Sequence, residues 1–126
     1  NGIAGIEPFH GTNIRVDHND VNGNHIGIEL FTTSNSFVTK NKLRSNTLDG
    51  LHTFSGSTAN QIRDNHADKN GADGIDVADA GNTIAKNHAD KNTNLGIFAA
   101  PGNIDGGHNK AHKNGNPLQC VGVSCH

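Results

Sequence analysis

Residues 65–75 read NHADKNGADGI, and residues 87–97 read NHADKNTNLGI: the opening NHADKN and the closing GI return unchanged 22 residues later, while Gly71, Ala72 and Asp73 give way to Thr93, Asn94 and Leu95. Working outward from this pair, the pattern Asn-x-[Val/Leu/Ala]-x-x-Asn occurs five times along the chain. It joins Asn19 through Val21 to Asn24, Asn41 through Leu43 to Asn46, Asn65 through Ala67 to Asn70, Asn87 through Ala89 to Asn92, and Asn109 through Ala111 to Asn114. The first Asn therefore recurs after 22, 24, 22 and 22 residues. A second anchor, Gly followed by a large aliphatic, keeps the same period at Gly5-Ile6, Gly27-Ile28, Gly50-Leu51, Gly74-Ile75 and Gly96-Ile97. A third apolar position precedes the first Asn by three, as Val16, Val38, Ile62 and Ile84, with Gly106 standing in the fifth unit.

Composition narrows what such a repeat can build. Asn and Gly together make 35 of the 126 residues, and the longest stretch free of Gly, Pro and Asn runs only from Ile28 to Ser34. A helix of ordinary length has nowhere to sit. Leu, Ile, Val and Phe make up about a fifth of the chain, close to the level below which disorder prevails, so no unit can bury a core of its own. A formal charge of −2 with 17% charged residues excludes a polyelectrolyte grip on nucleic acid or a basic membrane patch. No apolar run reaches membrane-spanning length.

Stacking supplies the missing core. If each unit is one coil and the coils lie about 4.8 Å apart in the strand-pairing direction, equivalent positions superpose and the aliphatics form continuous internal columns. The expected fold is all-β, a single-stranded parallel β-solenoid of about five coils of 22–24 residues, quasi-one-dimensional in its energetics. The same geometry assigns the asparagines to two ladders. One runs through Asn19, Asn41, Asn65, Asn87 and Asn109, the other through Asn24, Asn46, Asn70, Asn92 and Asn114. Each amide is expected to bond its equivalent one coil away, with the Asn itself taking the left-handed turn. A mere loop preference for Asn would not hold a fixed register. The inner column narrows from Val21 and Leu43 to Ala67, Ala89 and Ala111, so the stack is expected to thin toward its C-terminal end. Asn1 falls in register with Asn24, which places the first residue in mid-pattern. Preceding coils or another copy of the chain are therefore expected to dock at the N-terminal end.

Gly27-Ile28-Glu29-Leu30 followed by Asn41 and Asn46 resembles the right-handed parallel β-helix repeat of the pectate-lyase-like superfamily. The likeness covers residues 1–114 as coils and leaves 115–126 as a C-terminal cap. It implies the fold and leaves the activity open, since the superfamily includes polysaccharide lyases, polygalacturonase-type hydrolases, alginate epimerases, phage tailspikes and secreted repeat proteins. Pro117-Leu118-Gln119-Cys120 through Cys125 is similar to the caps of secreted actinobacterial members. Cys120 and Cys125, five apart, are spaced for a disulfide in a tight terminal loop and offer too few ligands for zinc. The bridge, read in preference to two free thiols, implies a secreted, extracellular or periplasmic location.

Function in a solenoid must come from outward positions. With Ile6, Ile28, Leu51, Ile75 and Ile97 inward, the next residues out are Glu7, Glu29, His52, Asp76 and Phe98. Two further along lie Phe9, Phe31 and Phe54. Aromatic faces cover the C–H faces of sugar rings, and neighbouring carboxylates bind hydroxyls or move protons. Glu7, Glu29, His52 and Asp76 are thus the candidate catalytic groups, and Phe9, Phe31 and Phe54 the candidate binders of a polysaccharide that is bound, cleaved or isomerised. Adjacent coils would set Glu7 and Glu29 about 5 Å apart, near the spacing of retaining glycosidases, and couple their titration. The alternative is that the three Phe residues turn inward and thicken the core.

No complete catalytic motif of the superfamily is present. Glu7-Pro8-Phe9-His10 keeps the acid, the Pro and a displaced His of the epimerases' Asp-Pro-His, and Lys40, Lys42, Arg44 and Arg63 match no lyase motif. A structural solenoid, stacking end to end as a stalk, adhesin or filament subunit, is the competing reading. His66, Asp68, His88, Asp90 and His112 share a second outward patch, read as a solvated polar face. No cofactor is required, although the acids would accept a divalent cation such as calcium.

Overall fold

A computed structural model describes residues 4–126, so Asn1 and its expected register lie outside the described residues. Each coil carries three short strands. The first holds β1 (Ala4–Ile6), β2 (Arg15–Asp17) and β3 (Asp20–Asn22), the second β4 (Ile26–Phe31), β5 (Phe37–Thr39) and β6 (Lys42–Arg44). The third holds β7 (Leu51–Phe54), β8 (Gln61–Arg63) and β9 (His66–Asp68), the fourth β10 (Ile75–Val77), β11 (Thr83–Ala85) and β12 (His88–Asp90). The fifth holds β13 (Ile97–Ala99), β14 (Ile104–Gly107) and β15 (Lys110–His112), and β16 (Cys120–Val121) follows. These strands make three parallel sheets, β1-β4-β7-β10-β13-β16, β2-β5-β8-β11-β14 and β3-β6-β9-β12-β15. No helix of the described residues is long and apolar enough to cross a membrane.

Alternation within each strand decides what enters the core. In the first sheet, Ile28, Leu51, Ile75 and Ile97 are fully buried and in register. Val38, Ile62 and Ile84 fill the second sheet's inner column, and Leu43, Ala67, Ala89 and Ala111 the third's. The expected thinning is therefore real. At the fifth coil the register shifts between Ile84 and Ala85, so that Ile84 faces Asp105 and Ala85 faces Gly107. Gly106 is the extra residue, and a Cβ there would stand 2.7 Å from the Cβ of Ala85.

Both expected asparagine ladders are present, and a third lies beside them. In the first, Asn65 donates from Nδ2 to Val38 O at 2.9 Å and to Asn87 Oδ1 at 3.1 Å, while its own Oδ1 accepts the Asn41 N–H and Nδ2, both at 3.0 Å. Asn70 repeats the arrangement in the second. Its Nδ2 donates to Leu43 O and to Asn92 Oδ1, both at 3.0 Å, and its Oδ1 accepts the Asn46 N–H at 3.1 Å and Asn46 Nδ2 at 3.0 Å. The third ladder climbs the corner between the first and second sheets: Ser36 N–H donates to Asn60 Oδ1, Asn60 Nδ2 to Asn82 Oδ1 and Asn82 N–H to Asn103 Oδ1.

In one respect the expectation is corrected. The ladder asparagines do not themselves take the left-handed turn: Asn19, Asn41, Asn65, Asn87 and Asn109 keep negative φ, as do Asn24, Asn46, Asn70, Asn92 and Asn114. The residue preceding each of them is the left-handed one. These are His18, Lys40, Asp64, Lys86 and His108 before the first ladder, and Gly23, Ser45, Lys69, Lys91 and Lys113 before the second. That residue turns the corner on the solvent side, which aims the following Asn inward, where its amide replaces the backbone pairing that the bend interrupts.

The last segment continues the stack. Cys120 and Val121 of β16 pair with Ile97 and Phe98, and Cys120 and Cys125 are joined by a disulfide. Leu118 is 69% exposed and does not cover the core. Cys120, Val123 and Cys125 pack against the core instead, and Gln119 Oε1 ends the second asparagine ladder by accepting the Asn114 N–H and Nδ2.

Candidate functional site

The outer face of the first sheet carries the candidate residues, because each strand there alternates an inward aliphatic with an outward polar or aromatic side chain. Glu29 lies opposite His52, His52 opposite Asp76, and Asp76 opposite Phe98, so the polar column expected from the period exists. His52 sits between two carboxylates, with Nδ1 3.3 Å from Glu29 Oε2 and Nε2 3.8 Å from Asp76 Oδ2. Glu29 is buried, and His52 and Asp76 are partly so.

Burial raises the Asp76 carboxyl to about 6, reinforced by the negative charge of Asp49 and opposed by His52. Its Oδ1 is buried with no hydrogen-bond partner among the described residues. Asp49 is likewise raised, chiefly by burial. Glu7 is raised as well, first by its contact with the neighbouring Glu29 carboxyl and then by burial.

The aromatic column faces outward. Phe9 is 60% and Phe54 48% exposed, with Phe31 half-buried between them. The Phe9 and Phe31 rings stack at 4.8 Å between centroids, and Phe31 and Phe54 lie 5.3 Å apart, tilted by 49°. The spacing follows the coil separation, since each ring comes from one rung. The core between Leu30 and Val77 is completed by Thr53, which is fully buried and accepts the Asp79 N–H through its hydroxyl. No aromatic ring is needed inside.

Two contributors were not among the candidate groups. His10 lies edge-on to Phe9 at 4.3 Å and to Phe31 at 5.7 Å. Asp49 brings a donor atom within 4.8 Å of those of His52 and Asp76. The signal for Asp49 was its place before Gly50, repeated by Asp73 before Gly74. Two carboxylates and one imidazole offer fewer oxygens than the six to eight that calcium takes, on the usual order of its coordination.

Residues 1–124 match the family described as "Right handed beta helix region". The chain belongs to this right-handed β-helix family. The pectate-lyase-like resemblance of its repeat is thereby borne out, as is the solenoid with its terminal disulfide. No curated protein matches this β-helix. Among solved structures it is similar to a double mutant of the periplasmic alginate epimerase AlgG, at 18% sequence identity and a TM-score of 0.70. The match covers 98% of this β-helix and 38% of that chain, so it spans well under half of the epimerase and shows the fold alone.

Proposed function

We propose that the protein is an extracytoplasmic β-helix that binds a polysaccharide along the outer face of its first sheet. The observation that carries this reading is the solvent-facing stack of Phe9, Phe31 and Phe54, one ring per coil. A sugar chain lying along the solenoid axis would pack its apolar C–H surface against the solvent-facing edges of the stacked rings and set its hydroxyls toward Glu7, Glu29, His52 and Asp76. These four polar groups are the ones that would move protons in a cleavage or isomerisation. The family match and the likeness to a periplasmic alginate epimerase support a polysaccharide as the partner, and the disulfide fits an oxidising compartment.

Affinity electrophoresis in gels containing a neutral glucan, a xylan or a polyuronate tests the reading. The wild-type chain should be retarded by at least one of them, and Phe31→Ala and Phe54→Ala should migrate as in an empty gel. Equal retardation of wild type and both variants would overturn the assignment. Product analysis with Glu29→Gln and His52→Ala then reads out turnover.

A further inference from the structure

A second cluster stands on the third sheet, away from the Phe face. His88 and Asp90 alternate on β12 and therefore share its outer surface, and His112 of β15 lies opposite Asp90 one rung on. Asp90 bridges the imidazoles, with Oδ2 2.8 Å from His88 Nε2 and Oδ1 3.5 Å from His112 Nδ1. One donor atom from each of the three residues lies within 4.8 Å of the others. We infer that His88, Asp90 and His112 form a binding site for a divalent transition-metal ion of the zinc class.

Three features carry the inference. The donor set is two imidazole nitrogens and one carboxylate oxygen, which suits zinc, nickel or copper and is wrong for calcium or magnesium, whose shells are built from oxygens. The geometry is close to what a small ion needs. Ligand bonds of about 2.0–2.2 Å place tetrahedral donors roughly 3.4 Å apart, and the observed contacts of 2.8 Å and 3.5 Å, with all three donors inside 4.8 Å, bracket that spacing. The supports are also in place. Asp90 Oδ1 accepts the His112 backbone N–H at 2.9 Å, which orients the carboxylate and leaves Oδ2 toward the His88 imidazole. Asp68 Oδ1 accepts the Asp90 N–H, and His66 stacks on His88 at 5.0 Å between centroids.

Partial exposure completes the case. The side chains of His88, Asp90 and His112 are 34%, 27% and 54% exposed, open enough for an ion to enter and for water to fill the remaining position. The five-residue polar patch anticipated from the repeat thus divides into three ligands and two supports, His66 and Asp68. Lys110, opposite His88 on the next rung, adds a positive charge that Asp68 and Asp90 offset.

Calorimetric titration of the full chain with zinc chloride near neutral pH tests the site. A single equivalent of zinc should bind, with affinity lowered about tenfold or more in His88→Ala and His112→Ala. His18→Ala, which removes an exposed imidazole paired with Asp17 in the first coil, should bind as wild type does. Because His88 is packed on His66, the exposed His112→Gln provides a variant with little reason to misfold. On zinc addition the imidazole resonances of His88 and His112 should move before those of the other histidines, and a large calcium excess should not reverse the shift. No zinc binding, equal affinity in wild type and both His112 variants, or displacement by calcium would overturn the inference.

Discussion

Asn87 shows what one residue of the ladder contributes. Its Oδ1 accepts the Asn65 N–H at 3.0 Å and Asn65 Nδ2 at 3.1 Å, and its Nδ2 donates to Ile62 O at 2.9 Å. Asn87→Ala leaves these buried groups without partners, at about 1–3 kcal/mol for each one stranded. A total loss on the order of 4 kcal/mol is expected in urea unfolding, whereas Asn19→Ala, at the half-buried end of the same ladder, should cost roughly 1 kcal/mol. Equal losses at the two positions would refute the ladder's role. The glycine of the second anchor has its own reason. A Cβ on Gly74 would stand 2.6 Å from Gly96 O and 2.7 Å from Asn92 Nδ2, both fixed in the next coil. Gly74→Ala should therefore destabilise by about 1–3 kcal/mol, as overpacking does, and a neutral result would show that the rungs can part locally. These residues were legible because Asn and Gly recur at fixed spacing. The left-handed residues before them were not, since Lys and Ser, which hold six of the ten positions, carry no local turn signal, and only Gly23, Asp64, His18 and His108 are of types that favour that conformation.

The outward column of the first sheet could be read from alternation, because a strand that buries Ile75 and Val77 must expose Asp76. What alternation could not give was how deep each polar group sits. Asp49 is buried and Asp76 partly so, and their charges interact. The third ladder was missed for a related reason: the amide column begins with Ser36, and the steps through Asn60, Asn82 and Asn103 lack the flanking pattern of the other two. The depth of Asp76 has a pH signature. Its folded carboxyl, near 6, lies above the ordinary Asp value, so the folded state holds the proton more tightly than the unfolded chain. Stability should then fall as pH rises from about 4 to about 6, by no more than roughly 3 kcal/mol from this group. Asp76→Asn should match wild type near the acidic end of that window and exceed it above pH 6 or so. Parallel stability curves for the two proteins across that window would remove Asp76 as the source. Binding should follow the same titration. Protonation of Asp76 relieves like-charge repulsion, so a polyuronate should be retarded more strongly below about pH 6 than above it, while a neutral glucan should show little change.

At the scale of the molecule, nearest-neighbour coils supply nearly all the packing, so stability is local along the axis. The C-terminal end combines the smallest inner side chains, Ala89 and Ala111, with the bulge at Gly106, and so begins with the least apolar burial to offset its chain entropy. The terminal segment compensates. Gly96 N–H donates to Gln119 O at 2.7 Å, Ala111 N–H to His126 O at 3.2 Å and His126 N–H to Asn109 O at 3.0 Å, and Cys120–Cys125 closes the loop that presents these groups. For so short a loop the bridge should contribute about 2 kcal/mol by restricting the unfolded chain. In a one-dimensional stack that loss should stay where it arises. After reduction, or in Cys120→Ser/Cys125→Ser, amide exchange at Gly96, Ala111 and His126 should accelerate by roughly tenfold or more, as expected for a loss of that size. The amides of Leu51 and Gln61, hydrogen-bonded to Gly74 and Ser36 in the middle of the stack, should exchange at the wild-type rate. Uniform acceleration across all five coils would mean that the solenoid opens as one cooperative unit, and that its thin end is held by the whole column of side chains rather than by the segment that closes it.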